Sequence, residues 1–279
     1  MKKEVKQDPL YKVGIVGYGI VGSGIGRLLG DYVVAIYDPK DNPLNSKKTD
    51  FKGLDLVIAS VPTPTAPDGE SCDTSIMEST LDWLNELKFE GVILIKSAVV
   101  PSEVKRFVLK YPKLRLCASP EYMGESKYFT PFWKYPDPTD MRSHTWQIYG
   151  GRKKDTSLCV DIFQRKMSVD TIHLQTNIMT AALTKYMENC FFATKVTFCN
   201  EWSFIAQIYG VNYNELRECW LADTRINRNH TMVFPKDRGY GGRCYPKDVK
   251  ALIHDATKMG YTPELLKAVD RVNSKIRGK

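Results

Sequence analysis

Six short, nearly uninterrupted apolar runs fill the first half of this chain. They are Val13–Val16 and the stretches YVVAIYD, LDLVIAS, GVILIKS, LRLCASP and TWQIYG. A strand with one face in water alternates apolar and polar residues. These runs do not alternate, so each is expected to be buried on both faces, as in a parallel sheet. Helical patterns lie between them, such as DTSIMESTLDWLNEL, in which Asp73 is the expected N-cap. Strand–helix alternation of this kind predicts a doubly wound, Rossmann-type α/β domain over residues 1–175. The texture then changes. From Thr176 to about Ile208 there is neither proline nor glycine, and apolar residues recur at helical spacing. That predicts one long helix, or two, ended by Gly210. NYNELRECWLAD, PKDVKALIHDATKMG and TPELLKAVDRVNSKI read as further helices, so residues 176–279 form a mostly helical second domain. In the second of these patterns Val249, Leu252, Ile253, Ala256 and Met259 define one buried face.

Composition narrows the function classes. At 43% hydrophobic and 26% charged residues, the 279-residue chain has an ordinary globular make-up. A net charge of +8 suits an anionic ligand, but the basic residues form no clustered patch of the kind nucleic acid requires. Seven scattered cysteines form no CxxC pair and no zinc spacing, which predicts reduced thiols, a cytoplasmic setting and no metal site. The charged N-terminus MKKEVKQDPLYK lacks the apolar core of a signal peptide, and no apolar run reaches the ~18 residues of a membrane span.

Gly17, Gly19 and Gly22 make a GxGxxG loop that directly follows a strand and opens a helix. This context predicts dinucleotide binding. Gly17 permits the tight turn, Gly19 lets the backbone approach a pyrophosphate, and Gly22 allows close helix–strand packing. The helix N-terminus at Ile20 and Val21 faces the negative charge. Asp38, ending the next strand, is placed to accept from ribose hydroxyls and to repel a 2′-phosphate. It favours NAD over NADP, while Lys40 nearby argues the other way. The proline-stiffened loop SVPTPT, with Val61, Pro62 and Thr63, is expected to line the cofactor crevice.

The stretch GYGGRCYPKD puts Cys244 behind a glycine-rich turn and ahead of a proline suited to a helix's first turn. Placed just before a helix N-terminus and flanked by Arg243 and Lys247, its thiol would be shifted toward the thiolate. Nucleophile and buried packing residue both stand as readings. Metal binding is disfavoured, since no second cysteine or histidine has ligand spacing.

Taken together, VGIVGYGIVG, ASVPTPT, KSAVVPS, SPEYMGES, LTKYMENCFFATKVTFCNE, DTRI and GYGGRCYPKD resemble the UDP-glucose/GDP-mannose dehydrogenase family, in the family's order and across almost the whole chain. The resemblance implies two NAD-dependent oxidations of a nucleotide-sugar alcohol to the uronic acid, through a cysteine thiohemiacetal and thioester. UDP-glucose is the expected substrate. The resemblance makes Cys244 the nucleophile. Lys185 and Asn189, four apart on one helix face, become stabilisers of an oxyanion at the sugar. Asp248 would orient Lys185 or a water, and Glu121 would activate the hydrolytic water. Glu125 and Ser97 are placed near the cofactor, and Gly241 near the substrate. Arg225, in DTRI, would reach a neighbouring subunit's site, implying a homodimer that uses the long helix. Two departures stand out. Where the family commonly reads KST, this chain has Lys96, Ser97 and Ala98. The family also normally continues into a second α/β domain holding much of the nucleotide. Two other readings follow from that: a dehydrogenase for a different or smaller sugar, or a truncated, non-catalytic NAD-binding protein that dimerises. Retention of Cys244, Lys185, Asn189 and Asp248 together argues against the last.

Overall fold

The computed structural model describes residues 10–39, 42–122 and 141–278. Lys40 and Glu125 lie outside them. The described residues form two compact units, one of residues 10–39, 42–64, 73–122 and 141–185, the other of residues 65–72 and 186–278.

The first unit is built on seven strands: β1 (Val13–Val16), β2 (Val33–Tyr37), β3 (Leu56–Ala59), β4 (Val92–Ile95), β5 (Arg115–Ala118), β6 (Trp146–Gly150) and β7 (Ile172–Thr176). Their order is β2-β1-β3-β4-β5-β6-β7. The helices of this unit are α1 (Ile20–Leu29), α2 (Ser75–Glu86), α3 (Pro101–Lys110) and α4 (Lys153–Gln164). Burial on both faces follows from the twofold period of a strand. Val57, Ala59, Ile93 and Ile95 pack with Met77 and Leu81 of α2 and Val104 and Phe107 of α3. The alternate residues Leu56, Ile58, Val92 and Leu94 pack with Ile25 and Leu29 of α1 and Ile162 and Phe163 of α4. Burial of each such side chain contributes about 1.5–3 kcal/mol.

The sheet departs from the sequence expectation in two ways. It is not wholly parallel, because β5 and β6 run antiparallel through Ala118 and Gly150. It also has a seventh strand. β7 pairs parallel with β6 at the sheet edge, where Ile172 and Leu174 are half exposed or more, so it carries no continuous apolar run. The N-cap of α2 is Thr74 rather than the expected Asp73, which lies one residue before it and accepts from the Ser75 N–H at 2.9 Å through Oδ1.

The second unit contains most of α5 (Ile178–Ile208), with α6 (Tyr213–Trp220), α7 (Cys244–Lys258) and α8 (Glu264–Ile276). α5 is one helix of 31 residues. Gly210 ends it at φ +68°, with its own N–H on the Gln207 carbonyl and the Val211 N–H on that of Ala206. Whereas the sequence put the division at residues 175 and 176, the compact units divide inside α5, between Lys185 and Tyr186. The physical reason is that Ile178, Met179 and Ala182, in the first turns of α5, pack on the sheet's apolar core. The core of the second unit gathers Cys190 and Ala193 of α5, Tyr240, Val249 of α7 and Val269 of α8. On α7 the face read in sequence holds for Val249, which is buried, and for Leu252 and Ile253, which pack on the same core, but Met259, the C-cap residue, is 64% exposed, and Asp248, Ala251 and Asp255 are buried as well.

Candidate functional site

The switch point of the sheet lies at β1, since the chain leaves β1 for β2 on one side and returns to β3 on the other. Ligands of open α/β sheets bind outside the carboxyl ends of the strands at such a point. Gly17 stands there at φ +85°, and a Cβ on it would sit 2.7 Å from the Ser60 carbonyl oxygen. A Cβ on Gly22 would fall 2.0 Å from the Gly17 carbonyl oxygen, so helix and loop touch only because residue 22 has no side chain. Over Gly19, by contrast, the space a Cβ would fill is open, and Ile20 beside it is 55% exposed. No side chain caps α1 and no acid occupies its first turn, so its leading N–H groups present positive charge. This open, electropositive cradle fits a dinucleotide pyrophosphate.

Asp38 ends β2 and is part of the same construction. Its Oδ2 accepts from the Tyr18 N–H at 2.6 Å. Asn45 brackets Asp38 from behind, accepting from its N–H and donating to its carbonyl, both at 2.7 Å. The loops after β3 and β4 are stitched together. Ser60 Oγ donates to the Gly17 carbonyl at 2.7 Å, Ser97 Oγ to the Val61 carbonyl at 2.6 Å, and Thr63 Oγ1 to the Ala98 carbonyl at 2.9 Å. Pro62, between two buried residues, is exposed. The Ser97 hydroxyl is therefore engaged in loop structure.

Sequence reasoning missed the partner of Glu121. Lys96, at the end of β4, is almost wholly buried, and its Nζ lies 3.0 Å from the Glu121 carboxylate. Ser119 Oγ and Gln147 Oε1 are each 3.4 Å from the same ammonium, and His144 Nδ1 is 3.7 Å from Glu121. Burial works to raise the Glu121 pKa, but the charge of Lys96, then that of His144, and hydrogen bonds from Lys96 and the Tyr122 N–H hold it below the ordinary glutamate value. The signal available in sequence was a lone lysine closing the apolar run GVILIKS. Lys185 has its Nζ 4.7 Å above the Tyr122 ring, a cation–π contact.

In the second unit Cys244 is the first residue of α7, one position further into the helix than expected, with Arg243 as the N-cap residue. It is partly buried and in no disulfide. The thiol thus sits at the positive end of the helix. The two flanking cations differ. Arg243 is exposed, whereas the Lys247 ammonium is bound by Asp248 at 2.6 Å. The other oxygen of Asp248 accepts from Asn189 Nδ2, also at 2.6 Å, and both residues are buried. Within its unit, the described partners of Asp248 are Asn189 and Lys247. Asn189 retains a second amide N–H for another acceptor.

The glycine turn ahead of the thiol is shaped by α8. Asn273 Oδ1 accepts from the Tyr240 N–H at 2.8 Å, and Asn273 Nδ2 donates to the Tyr240 carbonyl at 3.1 Å. A Cβ on Gly239, at φ +75°, would meet Asn273 Oδ1 at 2.4 Å, and one on Gly241 would meet the Arg277 guanidinium at 2.9 Å. Gly241 is thereby explained by packing on α8. Arg225 is exposed and held by Asp223 two residues before it, at 2.6 Å.

These features define an α/β protein of the Rossmann class joined to a helical unit that presents a helix-start thiol. Residues 179–275 match the model of the UDP-glucose/GDP-mannose dehydrogenase family's central domain. The UDP-glucose 6-dehydrogenase of Rickettsia typhi is 28% identical over 236 residues, covering 82% of this chain and 51% of the relative. That of Pseudomonas aeruginosa is 28% identical over 232 residues, covering 79% and 49%. A UDP-glucose dehydrogenase structure from the hyperthermophilic archaeon Pyrobaculum islandicum superposes with a TM-score of 0.80 at 24% identity, covering 98% of this chain and 70% of that one, which shows the shared fold. The chain spans about half the length of the curated relatives it matches.

Proposed function

We propose that this chain is an NAD-dependent nucleotide-sugar dehydrogenase that oxidises UDP-glucose to UDP-glucuronate through a thioester on Cys244. The observation that carries the reading is the Cys244 thiol at the start of α7, beside the buried Asn189–Asp248 pair and the Lys247 ammonium it binds, in a chain whose first unit has an open glycine cradle. The names of the two bacterial relatives support the substrate. NAD, when bound, supplies the acceptor for a hydride in each of two oxidations. The Gly17–Gly22 loop and the N–H groups of Ile20 and Val21 would hold its pyrophosphate, and Asp38 would accept from its ribose.

After the first oxidation the Cys244 sulfur adds to the aldehyde carbon, and the carbonyl oxygen takes a proton to give a thiohemiacetal. Loss of a second hydride and of the hydroxyl proton leaves a thioester. Water then adds, the C–S bond breaks, and the acid departs with the thiol restored. The Lys185 ammonium and the remaining Asn189 N–H stabilise the oxyanion of these steps. Glu121, kept ionised by Lys96, is the base that takes the water's proton. The chain acts as a homodimer in the cytoplasm, with Arg225 reaching the second copy. An α5 surface on which Met187, Phe191 and Ile208 are more than half exposed supports the dimer, and seven cysteines outside disulfides support the compartment.

The test is NADH formation by the purified chain with UDP-glucose, GDP-mannose and UDP-N-acetylmannosamine, with the sugar product identified. UDP-glucose is expected to give twice as much NADH as acid, and Cys244→Ala none. NAD binding without NADH formation from any of the three would overturn the reading.

A further inference from the structure

Alternate residues of β6 make a floor for the helix that carries Lys185. Trp146, Ile148 and Gly150 are two apart, so they share one face of the strand. Ile148 is buried with Ala118 of β5 and Ala181 of α5, and Trp146 and Ile178 pack on the same cluster. At Gly150 the approach is closer still. A Cβ there would lie 2.5 Å from Ala181 Cβ, 2.6 Å from the Asn177 carbonyl oxygen and 2.9 Å from Ile178 Cα, so the start of α5 rests directly on the strand backbone. Asn177 also latches that start, its Oδ1 accepting from the Thr180 N–H at 2.8 Å. Lys185 follows Ala181 by four residues, one turn further along the same face of α5. Its backbone is therefore placed by contacts made one and two turns earlier.

The ammonium is met by a second element. Beyond β5 the chain stays beside β4, with the Ser119 N–H on the Ile95 carbonyl at 2.9 Å and the Glu121 N–H on that of Lys96 at 3.1 Å. Glu121 turns to the buried Lys96, and the next residue, Tyr122, meets Trp146 edge to face with ring centroids 4.3 Å apart. Lys185 Nζ lies 4.7 Å from the centroid of the Tyr122 ring. Trp146 thus bears on both parts, packing on the Ala181 cluster that fixes α5 and on the ring beneath the ammonium. A lysine is a point charge on a flexible four-carbon stem, so an ammonium that nothing holds spreads over many rotamers. A carboxylate would hold it by neutralising it. An aromatic face holds it with the charge intact and its N–H donors free to turn toward another acceptor.

We propose that Tyr122, supported edge-on by Trp146, is a positioning residue for Lys185, its ring seating the ammonium that stabilises the oxyanion. The proposal rests on Lys185 having that part in the dehydrogenase reaction. One backbone register, set by the Glu121 N–H on the Lys96 carbonyl, then aims two neighbouring side chains, Glu121 at its buried lysine and Tyr122 at the cation of α5.

The experiment is methyl NMR of the full chain with its lysines carrying isotope-labelled dimethyl groups, a modification that keeps their charge. It is run beside kcat, KM and thermal melting of the unmodified protein, for wild type, Tyr122→Phe, Tyr122→Leu and Trp146→Leu. The Lys185 signal is identified by its loss in Lys185→Arg. In wild type it is expected upfield of the exposed lysines, because it lies over a ring face. Tyr122→Phe keeps that face and should keep the shift, with kcat within about twofold of wild type. Tyr122→Leu removes it. The Lys185 signal should then join those of the other lysines, and kcat should fall about tenfold at unchanged KM, the pattern of an interaction made only in the transition state. Trp146→Leu leaves the Tyr122 ring without its edge contact and should give a smaller upfield shift and a kcat about threefold lower. A wild-type Lys185 signal among those of the exposed lysines overturns the proposal before any variant is made. So does an unchanged kcat in Tyr122→Leu, or an equal loss in Tyr122→Leu and Tyr122→Phe. If Tyr122→Leu fails to fold, the wild-type shift and Trp146→Leu decide. Full turnover by Lys185→Met would refute the oxyanion role and this proposal together, whereas an upfield Lys185 signal with a fully active Tyr122→Leu refutes this proposal alone.

Discussion

Replacing Lys96 with methionine should invert the way the first unit's stability depends on pH. In the wild type the Lys96 and Glu121 side chains are 1% and 6% exposed and 3.0 Å apart. The Glu121 pKa is held below its ordinary value, so the carboxylate contributes stability above the unfolded glutamate pKa, and that stability is lost as pH falls through the lower folded value. Methionine fills the volume of the lysine stem but removes the cation. Glu121 is then left with His144 beside it and the Tyr122 N–H on Oε1, and burial, until now outweighed, dominates. Its folded pKa rises above the unfolded one. The stability contribution is then present at low pH and lost as pH rises through the raised value. Breaking a buried pair on one side costs about 3–5 kcal/mol. At pH 8 the full amount should appear. With a urea slope near ~3 kcal/mol/M, the midpoint should fall by about 1–1.7 M. Toward pH 5, as Glu121 takes up a proton, most of the loss should disappear. Urea unfolding followed by tryptophan fluorescence at both pH values measures this. A Lys96→Met midpoint that falls equally at pH 5 and pH 8 would refute the reasoning, because the cost would then be one of packing. The double variant Lys96→Met/Glu121→Gln should be insensitive to pH over the same range.

Three other outcomes follow from the geometry. Gly22→Ala drives a methyl group to 2.0 Å from the Gly17 carbonyl oxygen unless the loop shifts, and calorimetry should show NAD binding weakened more than about tenfold, with alkylation of Cys244 unchanged. Asp38→Asn should narrow the preference for NAD over NADP, since the carboxylate that repels a 2′-phosphate is gone while an oxygen remains for the Tyr18 N–H. His230 has a folded pKa of about 4 against 6.5 unfolded, so protonation favours the unfolded chain. Stability should decline by up to about 3 kcal/mol as pH falls from 6.5 to 4, a slope that His230→Gln should lack in acid denaturation.

The six strands read in sequence were legible because burial on both faces writes a continuous apolar run, as at Leu56–Ala59 and Val92–Ile95. β7 was not, because an edge strand with Ile172 and Leu174 in solvent shows neither that run nor a clean alternation. The end of α5 was legible in Gly210, since few other residues accept φ +68°. Its division between two units was not, because the first turns of a helix carry no mark of which core they enter. At the site, the tight turn at Gly17 and the close packing at Gly22 could be read from spacing, because local backbone geometry sets them. The partners of Asp248 and Glu121 could not, since Asn189 and Lys96 reach them across 59 and 25 residues of chain. Met259 was misjudged for a related reason: helical period gave the right repeat, but the buried stripe is centred on acids at Asp248 and Asp255.

The clasp of Asn273 on Tyr240 gives the thiol turn a place in the order of synthesis. A chain made from the N-terminus can complete its sheet as the strands emerge, and domains generally fold in that order. The turn at Gly239–Gly242 cannot close then, because the side chain that satisfies both backbone groups of Tyr240 lies 33 residues downstream. Until α8 has left the ribosome, Cys244 stands on an unlatched loop, and a chain broken off before Asn273 would keep the glycine cradle while its thiol turn stayed undone.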